Sequence, residues 1–227
     1  MREKLSSKTA IENYDKGVVI HFVKSKYDNC KWNKNFSTWS MLKKRYDNGT
    51  RDSQMQKLYD AEYSLIPCSP KDNLEFIEVV KKITEIINHP WFRKKFGRLF
   101  VDTILRVENA SSRQNIAYAF GTDQLSFPPH FCNVPIILHE LSHIIVDRLQ
   151  FVVAFHKNYN AHGRMFAFIY SELVKKFMGE TSYTILKTGY KNFNVKYRNR
   201  IPLTSAKKKI LRERINKYNI YNNEDNT

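Results

Sequence analysis

The sequence predicts an α+β domain in which a small mixed or antiparallel sheet packs against one long apolar helix and its flanking helices. The long helix is predicted by residues 136–146, an apolar run in which polar side chains recur at helical spacing. The sheet is predicted by three short upstream stretches with alternating or β-branched side chains, at residues 99–108, 115–120 and 124–127. Further helical patterns lie before and after these strands, and this segregation is typical of the α+β class.

Helical patterns and their boundary residues define the flanking helices. Residues 51–62 have a helical pattern, and a second helix is predicted over residues 74–87, with Asp72 as its cap and an Asn-His-Pro sequence at its end. A third helix is predicted from Gly163 onwards. We expect this helix to end at Gly179, because glycine favours the position after a helix C-terminus.

The chain divides into a polar and basic N-terminal extension at residues 1–50, a central domain at residues 51–190 and a basic C-terminal tail at residues 191–227. Within the extension, residues 17–23 predict one short strand. Its aromatic side chains are expected to pack onto the central domain, with stacking on single-stranded bases as the alternative. Residues 205–218 of the tail have a helical pattern.

The balance of charge is strongly basic. The chain has 38 basic and 22 acidic residues, which gives a net charge of +16. Such a surplus favours polyanionic partners, and we expect contact with DNA or RNA through the N-terminal extension and the C-terminal tail. Compositional bias is the alternative explanation, because charge alone carries no specificity.

Cysteine usage and hydropathy indicate the compartment. Cys30, Cys68 and Cys132 are far apart and form no C-x-x-C pair, so neither a disulfide framework nor a zinc ribbon is available. The first twenty residues contain no apolar signal core, and no apolar run is long enough for a membrane span. We therefore expect a cytoplasmic protein, located in the host cytoplasm if the chain is viral.

The apolar run contains the motif H-E-x-x-H at residues 139–143. Residues at positions i and i+4 of a helix lie on the same face, so His139 and His143 can bind one metal ion. Glu140 lies one position further round the helix, where its carboxylate can meet a water molecule rather than the metal. The motif predicts a zinc site with Glu140 as general base.

Zinc requires a third protein ligand, and three downstream residues are candidates. His162 is favoured because it directly precedes Gly163, at the start of a helix that can pack back against the motif helix. Glu172, on that next helix, would give a His₂Glu site. His156, on the connecting segment, is the third alternative, and its other interpretation is a residue that faces solvent, substrate or a phosphate.

Other residues are candidates for the surroundings of the metal. Residues 117–120 or 125–127 are expected to form an edge strand that binds an extended substrate. The residues that could stabilise negative charge on a carbonyl oxygen are Tyr159, Tyr170 and His156. Asp147 is a candidate to orient a metal ligand, or else a solvated surface carboxylate.

The sequences L-H-E-L-S-H at residues 138–143 and H-G-R-M-F at residues 162–166 resemble the H-E-x-x-H…H-G-x-x-F signature of SprT-like zinc metallopeptidases. A small family of H-E-x-x-H metallohydrolases from actinobacteria and their phages is still more similar. That family also resembles this chain in the R-D-x-Q-x-x-x-x-Y-x-A-E pattern of residues 51–62 and in a Leu/Phe-Pro step before the motif helix. The similarity covers roughly residues 51–180.

The resemblance implies a zincin-like minimal metalloprotease core, a Zn²⁺ ion bound by His139, His143 and His162, and Glu140 as general base. It also implies a protein or peptide substrate. Two other functions stay open at this point. One is a nucleic-acid-associated protein in which the zinc helix is structural, and the other is a metallohydrolase that acts on a non-peptide amide.

Overall fold

The computed structural model describes most of the chain between residues 54 and 201. The described residues are 54–66, 73–100, 104–109, 116–128, 132–152 and 161–201, with the backbone of 18–21 and short helical pieces at 205–206, 208–210 and 212–213. The helices are α1 (Met55–Glu62), α2 (Phe76–Asn88), α3 (Pro90–Phe96), α4 (Val134–Val152), α5 (Arg164–Phe177) and α6 (Gly179–Asn192). The strands are β1 (Val18–His21), β2 (Ile104–Asn109), β3 (Tyr118–Phe120) and β4 (Gln124–Phe127).

The strands form one mixed sheet with the order β1-β2-β4-β3. Strands β2 and β4 are parallel, with Val107 opposite Leu125, whereas β3 is antiparallel to β4, with Ala119 opposite Leu125. Strand β1 pairs antiparallel with the other side of β2. Among the described strands, β3 therefore lies at one edge of the sheet, which confirms an edge at residues 117–120. The alternative edge at residues 125–127 is wrong, because β4 is paired on both sides.

The predicted strands are largely confirmed, but two of them begin later than the sequence indicates. Residues Gly97–Leu99 form a 3₁₀ turn, so Leu99 is not part of the strand predicted at 99–108, and the strand described in this range is Ile104–Asn109. The strand predicted at 115–120 begins at Tyr118. Gly121 has a φ of 57°, a conformation that favours glycine, and it forms the predicted turn between β3 and β4.

Helix α2 begins at Phe76, two residues later than predicted. Its N-cap is Glu75, which forms a reciprocal capping box with Glu78. Asp72, the predicted cap, lies outside the described residues. Pro90 follows the end of α2 and begins α3, because proline suits the first position of a helix. The sequence patterns did not predict α3.

Helix α4 is central to the core. Its apolar side chains are completely buried between the sheet and the helices α2 and α5; they include Ile137, Leu138, Leu141, Ile144 and Ile145. A helix that is apolar on most of its faces is typical of such an enclosed position. Asn133 precedes the helix, and its side-chain oxygen accepts the backbone N–H of Ile136 at 3.1 Å. This contact defines the start of the helix.

Helices α5 and α6 pack against each other, and the sequence predicted only α5. Helix α5 ends at Phe177 and is followed by Gly179 with a φ of 91°, as its predicted role requires. Helix α6 then packs against α5 and α1, and the Tyr190 hydroxyl donates to the Ala167 carbonyl at 3.1 Å. No helix among the described residues combines the length and apolar composition that a membrane crossing requires.

Candidate metal centre

Helix α4 and the residues just before α5 bring three histidines together. The Nε2 atom of His139 lies 3.2 Å from that of His143 and 3.3 Å from that of His162. The potential ligand atoms of the three rings all lie within 4.8 Å of one another, and this group could hold a metal ion. His139 and His162 are buried and His143 is half-buried. The three histidines that the sequence predicts as metal ligands thus lie together in the structure. This arrangement is consistent with a metallohydrolase site.

His162 is held in place through its backbone. The Gln54 side-chain amide donates to the His162 carbonyl at 2.9 Å and to the Lys196 carbonyl at 3.0 Å, and its oxygen accepts the Lys196 N–H at 2.8 Å. Gln54 is itself buried. The segment before α5 is therefore fixed between the start of α1 and the irregular segment that follows α6.

The other two candidates for the third ligand are not part of this group. Glu172 forms an ion pair with Lys95 of α3, and the histidine group found among the described residues does not include it. His156 lies outside the described residues. His162, which the sequence favours as third ligand for its position before a helix, is the candidate that lies beside His139 and His143.

A buried carboxylate, Glu62 of α1, orients His139. The Oε2 atom of Glu62 lies 2.8 Å from the Nδ1 atom of His139. The sequence patterns give no role to Glu62, although it is the last residue of the R-D-x-Q-x-x-x-x-Y-x-A-E pattern. Glu62 makes with His139 the kind of contact that is expected of Asp147 from the sequence, and the role of Asp147 itself stays a prediction. A carboxylate on the second ring nitrogen is the usual partner of a metal-binding histidine.

Burial controls the protonation of this pair. Desolvation by burial raises the pKa of Glu62 well above its ordinary value, against an opposing effect of His162. Desolvation also lowers the pKa of His139 well below its ordinary value, and the nearby His162 lowers this pKa further. His139 is therefore neutral at physiological pH, and one of its ring nitrogens has a lone pair that a metal ion could accept.

Glu140 is buried at the side of α4 that faces the sheet. Its pKa is raised well above the ordinary value, first by desolvation and then by the charge of Glu62, while a backbone hydrogen bond from Ala119 lowers it. Ala119 belongs to the edge strand β3. The Glu140 carboxylate therefore contacts the backbone of the edge strand β3.

Phe166 and Tyr59 pack against the histidines. The Phe166 ring lies beside all three, with centroid distances of 4.8 Å to His139, 4.4 Å to His143 and 5.1 Å to His162. Its ring restricts the rotation of the histidines by packing. Tyr59 of α1 lies at the rim, with its ring stacked on His139 at 5.6 Å and its hydroxyl 3.3 Å from the Nε2 atom of His162.

The structure describes one of the three candidates for stabilising a carbonyl oxygen. Tyr170 is completely buried, with its ring 5.8 Å from that of His139, so that a substrate in solvent cannot reach it in this conformation. Tyr159 and His156 lie outside the described residues. Tyr59 belongs to the R-D-x-Q-x-x-x-x-Y-x-A-E pattern of residues 51–62, but it is not among the three candidates, because no spacing in the chain relates it to histidines that are 80 to 103 positions away.

Comparison of the chain with models of protein families, with curated proteins and with solved structures finds no match in any of the three.

Proposed function

We propose that this protein is a zinc-dependent metallopeptidase of the SprT-like kind that hydrolyses peptide bonds with Glu140 as general base. The observation that supports this most is the group of three histidine Nε2 atoms with the buried Glu140 beside it. Neutral imidazole ligands suit zinc, and three protein ligands are typical of catalytic zinc sites. Glu62 is hydrogen-bonded to the Nδ1 atom of His139, and zinc-binding histidines often have such a carboxylate partner on the nitrogen that does not bind the metal.

The ion would be held by His139, His143 and His162, where zinc supplies a Lewis acid that acidifies water and polarises a carbonyl group. In the hydrolysis, the water oxygen bonds to the carbonyl carbon while Glu140 accepts a proton from that water. The carbon–nitrogen bond then breaks, and Glu140 delivers the proton to the departing amine nitrogen. The products are a carboxylic acid and an amine.

The edge strand supports a polypeptide substrate over a small amide. Strand β3 lies next to Glu140, and an edge strand can bind an extended chain through backbone hydrogen bonds. Tyr118 and Ile116 on this side are 37% and 66% exposed, so they offer apolar contacts to substrate side chains. A metallohydrolase for a non-peptide amide would not require such a strand.

The number of ligands and the exposure of the site favour a catalytic role for the metal ion over a structural role. Structural zinc sites are closed by four protein ligands, whereas the described residues contribute three here. His143 is half-buried and Tyr59 is 41% exposed, so solvent reaches the rim of the group. Contact with DNA or RNA through residues 1–50 and 191–227 is a separate proposal that the net charge of +16 supports.

Metal analysis combined with the Glu140→Gln variant tests this function. We expect the purified protein to bind one zinc ion per chain and to degrade fluorescently labelled casein. Glu140→Gln should retain zinc and lose activity by about 10²–10⁴-fold, because the base is removed while the ligands remain. Glu85→Gln, an exposed carboxylate paired with Lys82, is the matched control and should behave as wild type. Loss of zinc from Glu140→Gln, or retained activity in it, would show that the proposed role of Glu140 is wrong.

A further inference from the structure

We infer that Tyr59 is a second catalytic residue of this site, whose phenol donates a hydrogen bond to the substrate oxygen that gains negative charge when the carbonyl carbon is attacked. This inference rests on the proposed function for its chemical step. It extends that function by a residue of α1, a helix that supplies none of the metal ligands.

The hydroxyl of Tyr59 lies on the side of the histidines where their ligand atoms meet. It is 3.3 Å from the Nε2 atom of His162, and that atom in turn lies 3.3 Å from the Nε2 atom of His139. The Tyr59 ring stacks on His139 with an interplanar angle of 26° and contacts the edge of His162 at 5.1 Å. These ring contacts direct the hydroxyl towards the point where the histidine nitrogens converge.

Helix α1 positions Tyr59 and Glu62 on opposite sides of the same histidine group. Leu58, Ala61 and Glu62 form the buried face of the helix, and Glu62 contacts the Nδ1 atom of His139. Tyr59 lies one position from Leu58 and is 41% exposed. A single turn of helix thus presents one side chain to the outer nitrogen of His139 and another to the solvent-exposed side of the group.

A phenol suits the role of donor at this position. It has one O–H group that can point at a developing anion, and a donor that is already placed needs no reorganisation during the reaction. Tyr170 also lies near His139, but it is completely buried. Of the two tyrosines that the structure describes beside the histidines, Tyr59 is the one that a substrate can reach.

Tyr59→Phe, compared with the matched control Tyr63→Phe, tests the inference. Tyr63 follows one turn later and is 74% exposed, so its hydroxyl should be irrelevant. The first readout is independent of catalysis: acetohydroxamate, which offers charged oxygen atoms to a metal, is titrated into the cobalt-loaded proteins and followed by visible absorption. We expect wild type and Tyr63→Phe to bind it equally and Tyr59→Phe to bind it about tenfold more weakly, because a hydrogen bond to a charged oxygen is lost. Zinc affinity, measured by competition with a chelator, should be the same in all three proteins.

The second readout is casein hydrolysis by the zinc-loaded proteins. We expect kcat of Tyr59→Phe to fall by about 10²–10³-fold with KM within twofold of wild type. Equal acetohydroxamate affinity in Tyr59→Phe and wild type, or no binding to wild type, would overturn the inference. A loss of zinc affinity in Tyr59→Phe would also overturn it, because Tyr59 would then be a ligand. If wild type does not degrade casein but Tyr59→Phe still binds acetohydroxamate more weakly, the peptidase function fails while Tyr59 remains the donor to a bound oxygen.

Discussion

Glu62 and His139 form a buried pair in which Oε2 of the carboxylate lies 2.8 Å from Nδ1 of the imidazole. The two residues are 77 positions apart in the chain and belong to α1 and α4. Because the carboxylate contacts Nδ1, the Nε2 atom of His139 faces the other two histidines. The pair thereby determines which ring nitrogen is available to a metal ion.

Replacing Glu62 with Gln should weaken zinc binding by about 10–100-fold. The amide oxygen can still accept the Nδ1–H hydrogen bond, but the negative charge that strengthens the ligand is lost. Competition with a chromophoric chelator measures the effect. Asp60→Asn removes a carboxylate from the same helix that contacts only Gln56 among the hydrogen bonds described, and it should leave the affinity unchanged. Equal affinities in Glu62→Gln and wild type would contradict the orienting role.

Replacing Gln54 with Ala should lower both the stability of the fold and the affinity for metal. Gln54 makes three hydrogen bonds, to the His162 and Lys196 backbones, and each is worth about 0.5–1.5 kcal/mol. We expect the free energy of unfolding, measured in urea, to fall by about 2–4 kcal/mol, since buried backbone groups are left without partners.

Gln56→Ala is the control for this experiment. Gln56 is exposed and bonds to Asp60 within the same helix, so its loss should change the free energy of unfolding by about 0.5 kcal/mol or less. If Gln54→Ala were no less stable than Gln56→Ala, the backbone of His162 would have to be held by other contacts.

The histidines could be predicted from the sequence because their relations are mostly local. His139 and His143 are one helical turn apart, and His162 precedes a helix whose apolar spacing is evident. The R-D-x-Q-x-x-x-x-Y-x-A-E pattern includes Gln54, Tyr59 and Glu62, but it does not give their roles, because they approach the histidines only through packing of α1, across 77 to 108 positions. No periodicity within α1 indicates which histidine it will contact.

The elements missed in the fold have similar causes. Helix α6 was not predicted because it buries only Leu186, Gly189 and Tyr190. So few buried positions do not produce a recognisable helical pattern in the sequence. The 3₁₀ turn Gly97–Leu99 places Leu99 in the core with the same burial that a strand residue would have. Alternating or apolar side chains therefore predicted that these residues are buried, but not in which backbone conformation.

Cys132 should resist alkylation in the folded protein. It is buried, its thiol donates to the Pro128 carbonyl at 3.2 Å, and burial raises its pKa from 9.0 to about 12, with a further effect of Glu140. At pH 8 the thiolate fraction falls by about 1,000-fold relative to an ordinary thiol, since only the thiolate reacts. Iodoacetamide labelling, followed by peptide mapping at Cys132, should be slow in buffer and fast in urea. Rapid labelling without denaturant would mean that residues around Cys132 open readily.

Replacing Gly189 with Ala should separate α6 from α1 and so disturb the site from a distance. A Cβ atom at Gly189 would lie 2.9 Å from the Ala61 carbonyl oxygen and 3.0 Å from the Ala61 Cα atom, and these backbone atoms can yield only if the helices move apart. Such overpacking costs about 1–3 kcal/mol. Thermal unfolding should shift down by about 2–4 °C for each kcal/mol lost.

The same substitution should also weaken zinc binding, because Ala61 is the neighbour of Glu62 and lies two positions from Tyr59, so a shift of α1 moves both side chains relative to His139. Gly97→Ala is the matched control: its Cβ would lie 3.7 Å from the Arg93 Cβ atom, an ordinary van der Waals contact, and both melting temperature and zinc affinity should match wild type. A Gly189→Ala protein that melts lower but binds zinc normally would show that α6 stabilises the fold without determining the position of Glu62. Loss of both properties together would show that the close approach of α6 is what places α1 against the metal ligands.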